Sequence, residues 1–284
     1  MKFIAVTMRG AEGLASEEMK SFAKSPKKIY DGHVLFEAKD LKKFSPRLVN
    51  RVYSYIGHFE FSSIHDLVLK SSKLKFSFKG TFVVRCFRQG VHDFNSRVVE
   101  KDVGEVVYKK AFKVNLKNPD NIVIVDIVDN VCFVGLLLMN DVCKRKYRIK
   151  SFSSSINACL AAAAVKFSKV KSSSKVLDPF CKDGVIAIES YLLGCRHVTA
   201  FDESPNNIRA AKINAKLGGA KIKFVKTDVD SLDLKVDEES IDMIITCPPF
   251  LSKKKKQAAI ENVYREFFHQ ARNVLKNVAA GELA

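Results

Sequence analysis

The spacing of apolar residues changes its period along the chain. Phe3 to Met8 is a short β-prone apolar run. Ala11 to Phe22 then sets Leu14, Ala15, Met19 and Phe22 on one side of a helix. After Gly32, His33–Phe36 reads as a second short strand, and Pro46 to Tyr55 returns to helical spacing. This strand–helix–strand–helix order predicts a small α+β unit over residues 1–60. The region 61–150 is strand-rich: Thr81–Phe87 is a strand, Arg97–Lys109 a helix, and Ile122–Val128 with Val131–Met139 a strand pair joined at Asp129-Asn130. Serines at 151–155 make a linker ending in a helix cap, followed by an Ala-rich helix from Ile156 to Val170. Beyond Lys171–Ser174 the order becomes β-α-β-α-β-β-α. Strands are expected at Lys175–Asp178, His197–Asp202, Lys221–Thr227 and Ile241–Thr246, and helices at Gly184–Leu193, Pro205–Leu217 and Ala259–Leu275. Strands alternating with helices predict a parallel sheet with crossover helices, so 151–284 is read as a doubly wound α/β domain.

Composition narrows the class. A chain of 284 residues, 47% hydrophobic and 28% charged, supports real cores and excludes disorder. The longest apolar run, Val131 to Met139, is too short for the ~20 residues of a spanning helix. Met1 to Met8 is too brief for a secretory leader and meets Arg9 at once. Seven cysteines without CxxC spacing argue against a disulfide framework or zinc knuckle, and six histidines without ligand spacing against a metal site. A reducing cytoplasm is the expected compartment. Charge adds a positive clue. The net charge is +17, and residues 1–150 carry 28 basic against 16 acidic side chains while 151–284 carry 20 against 15. A basic first half suits a polyanion, and nucleic acid fits better than a membrane surface.

In an open α/β sheet, ligands bind beyond the carboxyl ends of the strands, near the point where strand order reverses. The first predicted strand of the second domain ends in Asp178-Pro179-Phe180-Cys181-Lys182-Asp183-Gly184, and the second ends in Asp202. A carboxylate at that second position suits ribose hydroxyls. Asp228 closes the third strand, and Thr246-Cys247-Pro248-Pro249-Phe250 the fourth. Neither GxGxxG nor GxxxxGK[ST] is present. An acidic residue opening the loop repels phosphate and suits a cationic ligand part. A ribose and an ammonium together point to S-adenosylmethionine.

These residues resemble a known family. Asp178-Pro179-Phe180-Cys181, Gly184 and Ile188-Glu189 are similar to the first motif of class I methyltransferases that modify exocyclic amines. Cys247-Pro248-Pro249-Phe250 resembles their (Asn/Asp)-Pro-Pro-(Tyr/Phe) motif, and Tyr264–Phe268 through Lys276 resembles the helix that follows it. Upstream, Arg88-Gln89-Gly90-Val91-His92-Asp93-Phe94, Val103-Gly104, Asn118-Pro119-Asp120 and Lys144–Arg148 are similar to the THUMP RNA-binding domain. Gly10–Leu14 with Glu17-Glu18 resembles the ferredoxin-like domain that precedes THUMP in tRNA guanosine-N2 methyltransferases.

The resemblance implies a ferredoxin-like domain over 1–60, a THUMP domain over 61–150 and a Rossmann-like methyltransferase domain over 151–284. It implies S-adenosylmethionine bound by Asp178, Phe180, Cys181, Gly184, Asp202 and Asp228. Transfer would go to a guanosine amine at Cys247, Pro248, Pro249 and Phe250. In the family an Asn or Asp side chain and the first Pro carbonyl accept hydrogen bonds from the target amine, and the aromatic residue stacks on the flipped base. The expected RNA contacts are Arg88, His92 and Phe94, then Arg145, Tyr147, Arg148 and Lys150, and Lys253 and Lys254. The sequence departs from the family at three places. Lys182 stands where a glycine is usual, Cys247 replaces the amide or carboxylate, and the chain stops at Gly281–Ala284 where a fifth strand would begin. The expectation is that the last strands are missing, and a second chain supplying them is one partner the sequence leaves open. Two alternatives stay open beside the tRNA guanosine methyltransferase. One is a THUMP-bearing RNA-binding scaffold without methyl transfer, and the other is a methyltransferase acting on an adenosine amine.

Overall fold

Valines and aromatic residues dominate the first half of the chain, and they build one mixed sheet. The computed structural model describes residues 1–42, 44–250 and 257–277, and the chain divides into two units, Met1–Val142 and Cys143–Ala284. The first unit runs β1 (Lys2–Val6), α1 (Glu12–Met19), β2 (Lys24–Tyr30), β3 (His33–Glu37), β4 (Arg51–Glu60), α2 (Ile64–Ser72), β5 (Thr81–Gln89), α3 (Ser96–Tyr108), β6 (Lys113–Val114), β7 (Asn121–Val128) and β8 (Val131–Met139). Its eight strands are ordered β2-β3-β1-β4-β8-β7-β5-β6. β4 pairs antiparallel with β1 on one side and β8 on the other, so one sheet continues across position 60.

β4 corrects the helix expected over Pro46–Tyr55. Arg51, Val52 and Tyr53 are buried in succession. A central strand covered on both faces loses the polar alternation by which strands are read, and a short apolar run then mimics a helix. β2 gave no apolar signal because it is an edge strand carrying Lys24, Pro26, Lys27 and Lys28, the composition that protects open edges. In α3, Val99, Val103 and Val107 form a fully buried stripe at four-residue spacing, packed into the core with β5 and β7. Gly135 of β8 has no room for a side chain: a Cβ there would lie 2.0 Å from the Ser54 carbonyl oxygen, next to the register shift in β4.

The second unit runs α4 (Ala158–Phe167), β9 (Lys175–Asp178), α5 (Val185–Leu192), β10 (His197–Asp202), α6 (Pro205–Leu217), β11 (Lys223–Lys226), β12 (Met243–Ile244) and α7 (Gln257–Val274). Its described strands are ordered β11-β10-β9-β12, all parallel. The chain leaves β9 toward β10 and β11, then returns to the other side of β9 as β12. The order therefore reverses between β9 and β12, and a ligand crevice is expected at their carboxyl ends. One core holds Val176, Val185, Ala200 and Ala211, and another holds Leu177, Phe201, Phe267 and Val274. This is the doubly wound α/β architecture that the alternation predicts.

Candidate active site

Four chain segments meet above the β9–β12 reversal. The first is the loop after β9. Its tight turn is closed by the Gly184 N–H donating to the Cys181 carbonyl at 2.7 Å, and it is tied to β10 by the Cys181 N–H donating to the Phe201 carbonyl at 2.8 Å. Gly184 has φ +81°, and a Cβ on it would meet the Ala211 Cβ at 3.0 Å, so glycine serves both the turn and the packing of α5 on α6. Lys182 has φ +49°, a left-handed conformation that costs a non-glycine residue roughly 1 kcal/mol or more.

Asp178 ends β9 with no exposed surface. Its Oδ1 accepts from Thr246 Oγ1 at 2.6 Å and from the Phe180 N–H at 3.3 Å, which joins the β9 and β12 loops. Its Oδ2 is buried without a hydrogen-bond partner. Burial raises this carboxyl from 3.8 to about 7, against the two hydrogen bonds, which lower it. Asp202 ends β10. Its Oδ1 accepts from the Ser204 N–H at 3.0 Å and from Asn207 Nδ2 at 2.8 Å, and its Oδ2 from the Lys182 N–H at 2.9 Å. One lone-pair site on Oδ2 thus remains for a ribose hydroxyl, where sequence reading expected both oxygens to be available. Asp228 is exposed, and its Oδ1 accepts from the Val229 N–H at 2.6 Å, capping a turn of 3₁₀ helix.

Phe180 packs edge-to-face on Phe267 with ring centroids 5.5 Å apart. Cys181 is buried, and its thiol is pushed far up by that burial and by the neighbouring carboxylates. Cys247, Pro248 and Pro249 are half-buried, and Phe250 is 59% exposed. Phe180, Lys182, Asp202, Asp228, Pro249 and Phe250 line one cleft of about 280 Å³ together with Ser154, Asn207 and Val263. The expected cofactor and catalytic residues therefore converge, although Asp178, Cys181 and Gly184 support the cleft from behind.

Lys182, Ser154 and Asn207 were not singled out from sequence. Asn207 sits in a cap signature, Ser204-Pro205-Asn206-Asn207, that starts α6 and also points an amide at Asp202. The Lys182 ammonium donates to the Ser154 carbonyl at 2.9 Å and to the Cys247 carbonyl at 3.3 Å. Nothing in the spacing of 182 and 247 announces that contact. A larger groove of about 760 Å³ lies at the amino ends of β9–β11 beside Lys175, Lys221, Lys223 and Lys235. It is at the wrong end of the strands for the ligand crevice.

The expected RNA-facing residues divide. Arg145, Tyr147 and Arg148 are built into the second unit rather than presented on a surface. Arg145 Nε and the Tyr147 hydroxyl donate to Glu189 Oε1 at 2.9 and 2.7 Å, and Arg148 Nε donates to Asp183 Oδ2 at 2.7 Å. Glu189 and Asp183 have no exposed surface, so each buried carboxylate demands a cation and takes one from this segment. Spacing cannot distinguish such internal partners from a basic patch. Lys150 differs: its backbone is held by Asn214, and its side chain is exposed. In the first unit, Arg88 Nη1 donates to His92 Nδ1 at 2.9 Å, and His92 Nε2 donates to the Asp129 carbonyl at 2.6 Å. The Arg88 guanidinium lies 5.8 Å from the Phe94 ring centroid, and its Nε is buried without a partner. Lys253 and Lys254 lie outside the described residues.

Among the described residues no group of three or more His, Cys, Asp or Glu could hold a metal ion, and no helix is long and apolar enough to cross a membrane. The cleft offers what S-adenosylmethionine requires. Asp178 brings an unpartnered buried carboxylate oxygen that suits an ammonium, Asp202 an open acceptor site, and Phe180 and Val229 apolar walls for an adenine.

Comparison with known proteins agrees. Residues 145–282 match the RMKL-like methyltransferase domain, and residues 60–137 match the THUMP domain. A tRNA (guanine(6)-N2)-methyltransferase of Archaeoglobus fulgidus is 28% identical over 97% of this chain and 80% of its own length. One from Methanocaldococcus jannaschii is 25% identical over 97% and 88%. The crystal structure of TrmN from Thermus thermophilus has the same fold, with a TM-score of 0.73 at 24% identity over 97% of this chain and 86% of that one. With a THUMP domain followed by an RMKL-like methyltransferase domain, the chain belongs to the THUMP-bearing class I methyltransferases.

Proposed function

We propose that this protein methylates the exocyclic N2 amine of a guanosine in tRNA, with S-adenosylmethionine as donor, in the cytoplasm. The observation that carries the reading is the buried Asp178 oxygen without a partner, at the strand-order reversal and beside the Pro-Pro-Phe corner. The relatives named above act on guanine N2, which favours guanosine over the adenosine alternative. When bound, S-adenosylmethionine supplies an electrophilic methyl group on a cationic sulfur.

The protein's own residues then have separable tasks. Asp178 holds the ligand ammonium, Asp202 a ribose hydroxyl, and Asp228 lines the nucleoside end of the cleft. Phe250, exposed at the mouth, stacks on a base taken out of the RNA, as enzymes working on a base must take it. Pro248 and Pro249 fix a rigid corner whose first proline carbonyl accepts from the target amine. Cys247 contributes no strong acceptor, because a thiol accepts weakly. Removing one well-placed polar group from a transition state typically costs about 10²–10³ in rate. The first unit, with Arg88, His92 and Phe94 in its THUMP domain, holds the tRNA, and exposed Lys150 adds to that grip.

The test is methyl transfer to unmodified tRNA followed by nucleoside analysis. Slow formation of N2-methylguanosine is expected, accelerated in Cys247→Asn. N6-methyladenosine as the product would overturn the guanosine assignment. Intact tRNA binding with no methylation by either protein would favour the RNA-binding scaffold, the second reading that Cys247 and Lys182 keep open.

A further inference from the structure

The two side chains that depart from the family pattern within the cleft meet each other. Lys182 stands where a glycine is usual, in the left-handed conformation that a glycine would adopt freely, and its ammonium donates to the carbonyl of Cys247. That ammonium also donates to the Ser154 carbonyl and lies 5.9 Å from the centroid of Phe250. Both of its hydrogen-bond acceptors are neutral, and among the described residues no carboxylate forms an ion pair with it. A full positive charge is therefore pinned from two sides on the wall of the cleft, at the Pro-Pro-Phe end. The N–H of the same residue holds Asp202 at the nucleoside end. One residue thus touches both functional ends of the cleft.

We infer that Lys182 sets the ligand preference of the cleft, favouring the neutral thioether S-adenosylhomocysteine over the cationic sulfonium S-adenosylmethionine. This rests on reading the cleft as the S-adenosylmethionine site. Transfer requires the reacting atoms to approach within about 3–3.5 Å. The donor's charged sulfur must therefore come up to an amine held at the corner where the Lys182 ammonium already sits. Two cations a few ångströms apart in a partly desolvated cleft repel, and the demethylated product relieves that repulsion. The other ligand features, a ribose, an adenine and an amino-acid tail, are common to both molecules and cannot discriminate. The discrimination thus falls on the residue nearest the one charge that differs. Its consequence is regulatory: product is retained, and turnover falls as S-adenosylhomocysteine accumulates.

The test is calorimetric titration of the full chain with each nucleoside, using the parent protein, Lys182→Met and Lys182→Gly. Met keeps the length and backbone strain of Lys and removes only the charge, while Gly removes the strain as well. The parent should bind S-adenosylhomocysteine at least about tenfold more tightly than S-adenosylmethionine. Both variants should narrow that ratio to about threefold or less, chiefly by tightening S-adenosylmethionine. The change in ratio is decisive, since a lost structural hydrogen bond would weaken both ligands alike. An unchanged ratio in Lys182→Met, or in Lys182→Gly should the Met variant not fold, would overturn the inference. No binding of either nucleoside by the parent would instead reject the reading of the cleft itself, and the inference with it.

Discussion

Each unit buries an aspartate, and the two differ in their partners. Asp126, on β7 of the first unit, is 5% exposed, and its Oδ2 meets Arg51 Nη1 at 3.2 Å and His33 Nε2 at 3.3 Å. Arg51 is itself stacked 3.3 Å from the centroid of the Phe87 ring. Asp178, in the second unit, is fully buried beside a hydroxyl and an N–H, with one oxygen unpartnered and no cation in contact. A fold that needs a buried carboxylate for its own sake supplies the counter-charge, as Arg51 does here and as Arg145 and Arg148 do for Glu189 and Asp183. A carboxylate buried without one is destabilised as an anion until something arrives to pair with it. The difference separates a structural carboxylate from one kept ready for a ligand.

The sharpest way to break this comparison is to remove each carboxylate in turn. Asp126→Ala leaves Arg51 and His33 buried and uncompensated, and should cost about 3–5 kcal/mol of stability. Asp178→Asn, measured at pH 8, should be neutral or stabilising, because it removes a buried charge that has no partner. Urea unfolding of both variants against the parent is the measurement. A cost below about 1 kcal/mol for Asp126→Ala would mean that Arg51 is held by its stacking on Phe87 alone. A large loss in Asp178→Asn would mean that the carboxylate is structural after all.

The same contrast explains which features were legible in the sequence. The second unit was read nearly to the residue: β9, β10 and α6 fall on their expected bounds, because parallel strands and crossover helices impose long alternating blocks. The first unit was read less well, since β4 is buried on both faces and β2 is a polar edge. The site divides likewise. Asp178, Asp202 and the Pro-Pro-Phe corner stand at strand ends, which a one-dimensional pattern locates. The partners of Arg145 and Arg148 lie 44 and 35 residues away, and the contact of Lys182 with Cys247 spans 65. No local pattern encodes such contacts. Charge shows the consequence. With the division at 142/143, Lys144, Arg145, Lys146, Arg148 and Lys150 join the second unit, leaving +7 on the first and +10 on the second. The excess of basic residues in the first 150 is therefore not the charge of the first structural unit.

A second prediction concerns stability against pH. Asp178 is held at about 7 in the folded chain by burial, against 3.8 as its ordinary value. The folded state therefore keeps a proton that the unfolded state releases. Stability from this group is full below about pH 4 and is lost as pH rises through about 7. The full difference corresponds to roughly 4 kcal/mol. Urea midpoints between pH 5 and 8 should fall more steeply in the parent than in Asp178→Asn, which cannot ionise at that position. Parallel profiles would show that Asp178 is already ionised in the folded protein.

The smallest effect tests the comparison from the ligand's side. An ammonium placed at the free Asp178 oxygen favours the ionised carboxylate, so binding must expel the proton that the empty cleft holds below about pH 7. Affinity for S-adenosylhomocysteine should therefore rise with pH up to about 7, by nearly tenfold per pH unit at the acid end, and then level off. Calorimetry in buffers of different ionisation heat should register close to one proton released at pH 6 and close to none at pH 8.5. Asp178→Asn should abolish both the slope and the proton release, and should weaken binding at pH 8 by about 1.5–3 kcal/mol, the worth of a hydrogen bond to a charged group. Asp126, already paired with Arg51, provides the control, since its contacts lie wholly within the other unit. A pH-independent affinity with no proton release would place the ligand's ammonium elsewhere, and the unpartnered oxygen of Asp178 would then mark no binding site at all.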